Sequence, residues 1–215
     1  MASVVSFTFN PFQENTYVVY DETGECVIFD PGCYDATEKE ELRIYLHKHD
    51  LTPVRLINTH CHIDHVFGNR FVAETYDLPL EIHRGEIPVL ESLPQTAAFF
   101  GIRLPEPSPP AGKFIEDGDL VEFGTTSLQA ILTPGHSPAS LSFYCEKDRF
   151  VIAGDVLFLQ SIGRTDLPGG DFDTLIRSIT ERLFPLGDDV RVYPGHGPAT
   201  SIGYEKIHNP FLTGR

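Results

Sequence analysis

The run Thr59-His60-Cys61-His62-Ile63-Asp64-His65 constrains this chain more than any other feature, because it sets three imidazoles and a carboxylate side by side. Imidazole and carboxylate are ordinary ligands of zinc and of non-haem iron. A merely polar loop would need no counterpart elsewhere in the sequence. This one has three counterparts: Thr133-Pro134-Gly135-His136, Ala153-Gly154-Asp155 and Tyr193-Pro194-Gly195-His196. A short apolar or β-branched run leads into each, Ile131-Leu132-Thr133, Phe150-Val151-Ile152-Ala153 and Val190-Arg191-Val192-Tyr193 respectively. The pattern predicts a strand that ends, a glycine that lets the backbone turn, and a donor side chain left at the sheet edge. Ligands on strand-end loops can converge on one point from distant parts of a chain.

The donors suffice for two ions. His60, His62 and His136 supply three nitrogens to one metal. Asp64, His65 and His196 supply an oxygen and two nitrogens to a second, and Asp155 has two oxygens with which to bridge. Two divalent ions bring four positive charges. Asp64, Asp155 and a bridging hydroxide remove three, so the site stays positive and suits a developing oxyanion. Zinc is the first expectation, with iron and manganese accepting the same donors.

These four elements resemble the metallo-β-lactamase superfamily, and within it the glyoxalase II-like thioesterases (hydroxyacylglutathione hydrolases) of the short bacterial type. His60, His62, Asp64, His65, His136, Asp155 and His196 each match a family metal position. The resemblance extends to Asn15-Thr16-Tyr17, the turn Phe29-Asp30-Pro31-Gly32 and the stretch Ser161-Ile162-Gly163-Arg164-Thr165-Asp166. It implies an α/β fold, the αβ/βα sandwich of two mixed sheets flanked by helices. It implies a metallo-hydrolase cleaving S-2-hydroxyacylglutathione-type thioesters. Asp64 and Asp155 would enter catalysis as ionised ligands, through the hydroxide their metals hold. Arg164 matches the place where a basic residue holds glutathione; paired with Asp166 it would instead order its own loop. Asp30 ends a strand at a turn that favours Asp and Pro in any case, and the resemblance implies that it also supports a ligand histidine.

The same comparison defines alternatives. Mononuclear iron persulfide dioxygenases share the HxHxDH run and Arg164-Thr165-Asp166, and lactonases keep the same ligands. Di-iron oxygen reductases usually carry Glu where His62 stands, and the commonest metallo-β-lactamases carry Cys where Asp155 stands. A non-catalytic metal-binding module would be expected to have lost donors, and all seven are present. Glyoxalase II of the longer type carries a helical C-terminal glutathione-binding domain, which this chain is expected to lack. Thr165-Asp166 replace the aromatic of that longer type.

At 215 residues with 41% hydrophobic content, residues 1–215 are expected to form a single domain with a sizeable core. A net charge of −15 argues against nucleic-acid partners and against an anionic membrane surface. Residues 1–9 lack a basic start and a long apolar core, so no secretory signal is read, and no apolar run reaches the length of a membrane span. Cys26, Cys33, Cys61 and Cys145 form no CxxC pair and are read as reduced thiols of a cytoplasmic protein. Cys61 sits between two ligands, but in an extended strand end its side chain points away from theirs and packs inward. The expected partner is a small-molecule thioester.

Periodicity predicts strands over residues 3–9, 16–20, 26–29, 54–58, 80–83, 120–123, 127–132, 141–146, 150–153 and 190–193. Helices are expected over 36–48, 66–76, parts of 86–100, 173–184 and 202–207. Segment 104–113 holds four prolines and a glycine and is read as a loop. His47, His49 and His208 are read as surface residues, and His83 as structural.

Overall fold

The computed structural model describes residues 1–104 and 106–214; Pro105, within the proline-rich segment read as a loop, lies outside the described residues. The chain divides into two compact units, Met1–Ile115 with Glu122–Thr126, and Glu116–Val121 with Ser127–Arg215.

The first unit is built on strands β1 (Ser3–Phe9), β2 (Glu14–Tyr20), β3 (Glu25–Phe29), β4 (Thr52–Ile57), β5 (Leu80–Ile82) and β6 (Ala111–Phe114), which form one sheet in that order. The β1–β2 and β2–β3 pairs are antiparallel, and β3–β4, β4–β5 and β5–β6 are parallel, so the sheet is mixed. Helix α1 (Ala36–Lys48) begins where Asp35 accepts the backbone N–H groups of Thr37 and Glu38. Its Leu42 and Leu46, four residues apart, are buried against the sheet with Val72 of α3 (Asn69–Tyr76). Burial of a leucine of this kind contributes about 1.5–3 kcal/mol. A short α2 (Ile63–Val66) precedes α3; the single helix expected over 66–76 is interrupted at Phe67-Gly68. Gly68 is pressed against Pro31 and Cys33, where a Cβ would meet the Cys33 sulfur at 2.3 Å. Helices α4 (Ile87–Glu91) and α5 (Leu93–Phe100) follow β5.

One reading of the proline-rich segment needs correction. Ala111–Phe114 is strand β6, not loop. These four residues keep their N–H groups, and β6 lies at the sheet edge, where one partner is enough.

The second sheet runs β14-β13-β10-β9-β8-β7, from β7 (Leu120–Phe123), β8 (Thr126–Leu132), β9 (Leu141–Cys145), β10 (Phe150–Gly154), β13 (Arg191–Pro194) and β14 (Thr200–Ser201). Strands β11 (Leu157–Phe158) and β12 (Ser161–Ile162) make a separate hairpin. Neither the hairpin nor β14 was expected, since two-residue strands carry no periodicity. Strands β9 and β10 are buried on both faces; β10 is accordingly apolar throughout, and the one hydroxyl within β9 outside its tyrosine, that of Ser142, is hydrogen-bonded to Thr133 at 2.9 Å. The strand β10 is parallel to β13 and antiparallel to β9, which is antiparallel to β8, so β8, β10 and β13 end at one edge. Leu175 of α6 (Phe172–Arg177), Leu183 of the π-helical turn Ser178–Leu183 and Ile202 of α7 (Ile202–His208) pack on Val151 and Val192. The continuous helix expected over 173–184 gives way to that turn, where the Ser178 hydroxyl leaves the helix to donate to Pro134 O at 2.7 Å. Among the described residues no helix is long and apolar enough to cross a membrane.

Candidate metal centre

In the first unit the donors leave the carboxyl ends of the parallel strands β3 and β4, the edge at which open α/β sheets take ligands. Strand β4 ends at Ile57 and delivers Asn58, Thr59 and His60; α2 then carries Asp64 and His65. His60 and His65 are fully buried, with ring centroids 4.1 Å apart, and the His62 ring lies 4.8 Å from that of His60. Asp64 Oδ2 lies 3.8 Å from His65 Nε2.

Asp30 follows β3 with φ +47°, a conformation asparagine and aspartate tolerate better than most residues. Its Oδ1 accepts the Thr59 N–H and its Oδ2 the Thr59 hydroxyl, both at 2.6 Å, and Oδ2 lies 3.2 Å from His65 Nδ1. Asp30, His60 and His65 lie within 4.8 Å of one another. Both Asp30 oxygens are already held by Thr59, and Oδ2 faces Nδ1. That geometry suits a carboxylate that orients an imidazole better than one that ligates a metal. The turn and the support of a histidine are thus the same residue's work.

Sequence reasoning missed the residues that hold this loop. Asn58 donates to His65 O at 2.9 Å and accepts from Asn69 at 2.7 Å. The fully buried Glu86 accepts the Cys61 N–H at 2.9 Å. Asn10 donates to Asp64 O at 3.0 Å. Buried Glu14 stands 3.9 Å from His65 Nδ1, and desolvation pushes its carboxyl well above the usual carboxylate range. Polar residues of this kind leave no periodic signature. Cys61 packs into the core as expected, although β4 has already ended at Ile57, and burial pushes its thiol up.

In the second unit His136, Asp155 and His196 follow β8, β10 and β13, the three strands that end together. Asp155 Oδ2 lies 3.4 Å from His136 Nε2 and 3.5 Å from His196 Nε2. His136 Nδ1 is 2.7 Å from Arg164 O. A carbonyl only accepts, so Nδ1 carries a proton, and the Nε2 side of the ring faces Asp155. Two glycines allow the arrangement. At Gly135 (φ +125°) a Cβ would stand 2.3 Å from Leu175 N, and at Gly163 one would stand 2.0 Å from Asp155 O.

A metal fits these donors. Ligands about 2.1 Å from one tetrahedral ion stand about 3.4 Å apart. The spacings of 3.4 and 3.5 Å around Asp155 Oδ2 match that edge, and the 3.8 Å between Asp64 and His65 is close to it.

Arg164 is half-exposed and grips Asp166 with both arms, Nε to Oδ1 at 2.7 Å and one terminal nitrogen to Oδ2 at 2.8 Å. The hydrogen bonds from Arg164 hold the Asp166 carboxyl down at about 2. Of the remaining histidines, His47, His49 and His208 are exposed, and His83 Nδ1 accepts the Gly85 N–H at 3.0 Å.

The metallo-beta-lactamase superfamily matches residues 9–196. The chain is similar to the hydroxyacylglutathione hydrolase GloC of Haemophilus influenzae, 34% identical over 205 residues that span 95% of each chain. Among solved structures it is similar to the BLEG-1 B3 metallo-beta-lactamase, with a TM-score of 0.90 and 39% identity over 98% of this chain and 100% of that one. It is also similar to TTHA1623 in a di-iron-bound form, with a TM-score of 0.86 and 38% identity over 97% and 100% of the two chains.

Proposed function

This chain belongs to the metallo-beta-lactamase superfamily, and from that premise we propose that this metallo-hydrolase is a dinuclear thioesterase acting on S-2-hydroxyacylglutathione-type thioesters. The observation that carries the dinuclear reading is the position of one atom, Asp155 Oδ2, at ligand-to-ligand distance from both His136 and His196. Asp155 would serve both donor sets. His60, His62 and His136 would hold one ion, and Asp64, His65 and His196 the other. The similarity to GloC supports the thioester, and the di-iron form of TTHA1623 supports iron beside zinc as the metal.

When bound, divalent ions of this kind would supply a water whose pKa is lowered to about 7 and a Lewis acid for a carbonyl oxygen. The residues of the chain do the rest. Thr59 beside His60, Asp30 beside His65 and Arg164 O beside His136 engage the Nδ1 atoms, which leaves Nε2 of each ring for the metals. Asp64 and Asp155 would stay ionised as ligands. Arg164 would take the substrate carboxylate, whose two oxygens match the fork that Asp166 fills. The buried free thiols support a reducing, cytoplasmic setting.

A β-lactam amide is the second substrate class, on the strength of the similarity to BLEG-1. The deciding experiment is thiol release from S-D-lactoylglutathione by the metal-loaded chain, with a chelated control and a β-lactam run in parallel. Rapid, chelator-sensitive release supports the thioesterase; turnover of the β-lactam alone overturns it.

A further inference from the structure

Glu205 of α7 is completely buried, yet nothing in the proposed chemistry uses it. A buried carboxyl is costly unless its oxygens are satisfied. Glu205 meets that cost with three donors from three segments. Its Oε2 accepts the Gln160 N–H and the Asn209 side-chain N–H, both at 2.9 Å, and its Oε1 accepts the Thr200 hydroxyl at 2.5 Å. Asn209, also fully buried, donates in addition to Ser161 O at 2.9 Å.

The segments tied together are those that border the donors of the second unit. Gln160 and Ser161 belong to the β11–β12 hairpin. The turn of that hairpin holds Gln160 at φ +54°, an uncommon conformation for a residue other than glycine, and the Glu205 bond stabilises it. Phe158 of the hairpin lies edge-on to the His196 ring at 6.2 Å. The exit of the hairpin leads through Gly163 to Arg164, whose carbonyl accepts the His136 Nδ1 proton. Thr200 lies in the segment that follows His196. One carboxylate therefore fixes the hairpin beside His136 and the chain beyond His196.

We propose that Glu205, with Asn209, is a positioning residue for the His136–Asp155–His196 donor set, acting through the β11–β12 hairpin and the Arg164 carbonyl. The inference rests on that donor set as the site, but its test needs no metal. In the full chain, labelled at histidine nitrogen and kept in chelator, the solvent exchange of the His136 Nδ1 proton is followed by NMR. Glu205→Ala is expected to speed that exchange by about tenfold or more over the unaltered chain. Asn209→Ala is expected to move it the same way. Leu183→Ala, which removes a fully buried side chain from the core of the same unit, is expected to leave it nearly unchanged. Should Glu205→Ala fail to fold, Asn209→Ala carries the measurement. Unchanged exchange in the folded variants, or an equal rise in Leu183→Ala, overturns the proposal. Failure of the unaltered chain to bind zinc would count against the thioesterase and not against this inference.

Discussion

Asp30 Oδ2 stands 3.2 Å from His65 Nδ1, and both side chains are sealed from solvent. With Thr59 holding both of its oxygens, the carboxylate has little freedom to do anything but fix the imidazole. Asp30→Asn is therefore expected to weaken metal binding about 10- to 100-fold, the usual loss when such a support is removed. Competition against a chromophoric chelator measures it. Unaltered affinity would leave Asp30 with turn chemistry alone.

Arg164→Ala is expected to raise KM for thioesters with a carboxylate about 10-fold or more, since hydrogen bonds to charged groups contribute about 1.5–3 kcal/mol. Neutral thioesters should lose much less. Equal losses for both substrates would leave Arg164 a purely structural role with Asp166. The Asp166 carboxyl is lowered in the folded chain, so whatever stability the pair adds is present above the ordinary carboxylate range and is lost as pH falls through about 2.

Gly163→Ala forces a Cβ to within 2.0 Å of Asp155 O, a backbone atom that cannot swing aside. The expected cost is about 1–3 kcal/mol or more, as for other overpacked sites. Urea unfolding reads it, and an unchanged midpoint would show that this close approach is not a constraint.

The four cysteines are free and buried, and burial pushes Cys26 and Cys33 up to about 12. The thiolate is the reactive form, so at pH 8 the native chain should react with a disulfide reagent over hours rather than minutes. The unfolded chain should titrate all four at once. Rapid reaction of one native thiol, Cys61 above all, would mean that its pocket opens.

The placement of His136, Asp155 and His196 at the ends of β8, β10 and β13 was legible because each follows an apolar strand and a glycine. Their supports were not. Asn58, Glu86 and Glu205 are polar residues whose burial depends on strands and helices far away in sequence. Nothing in the local sequence of Glu205 distinguishes it from an exposed helical glutamate. The proline-rich segment misled for the opposite reason, since its prolines end at Pro110 and the next residues are free to pair as β6. Asp30 was legible only in part, because an Asp-Pro-Gly turn is sufficient reason for an aspartate whatever it faces.

We propose that one carboxylate, Asp155, serves both donor sets of the metal centre. Metal analysis of the reconstituted chain and of Asp155→Ala tests it most directly. Two ions per chain are expected in the unaltered protein, with both sites weakened in the variant. Two ions still bound at full occupancy by Asp155→Ala would contradict it.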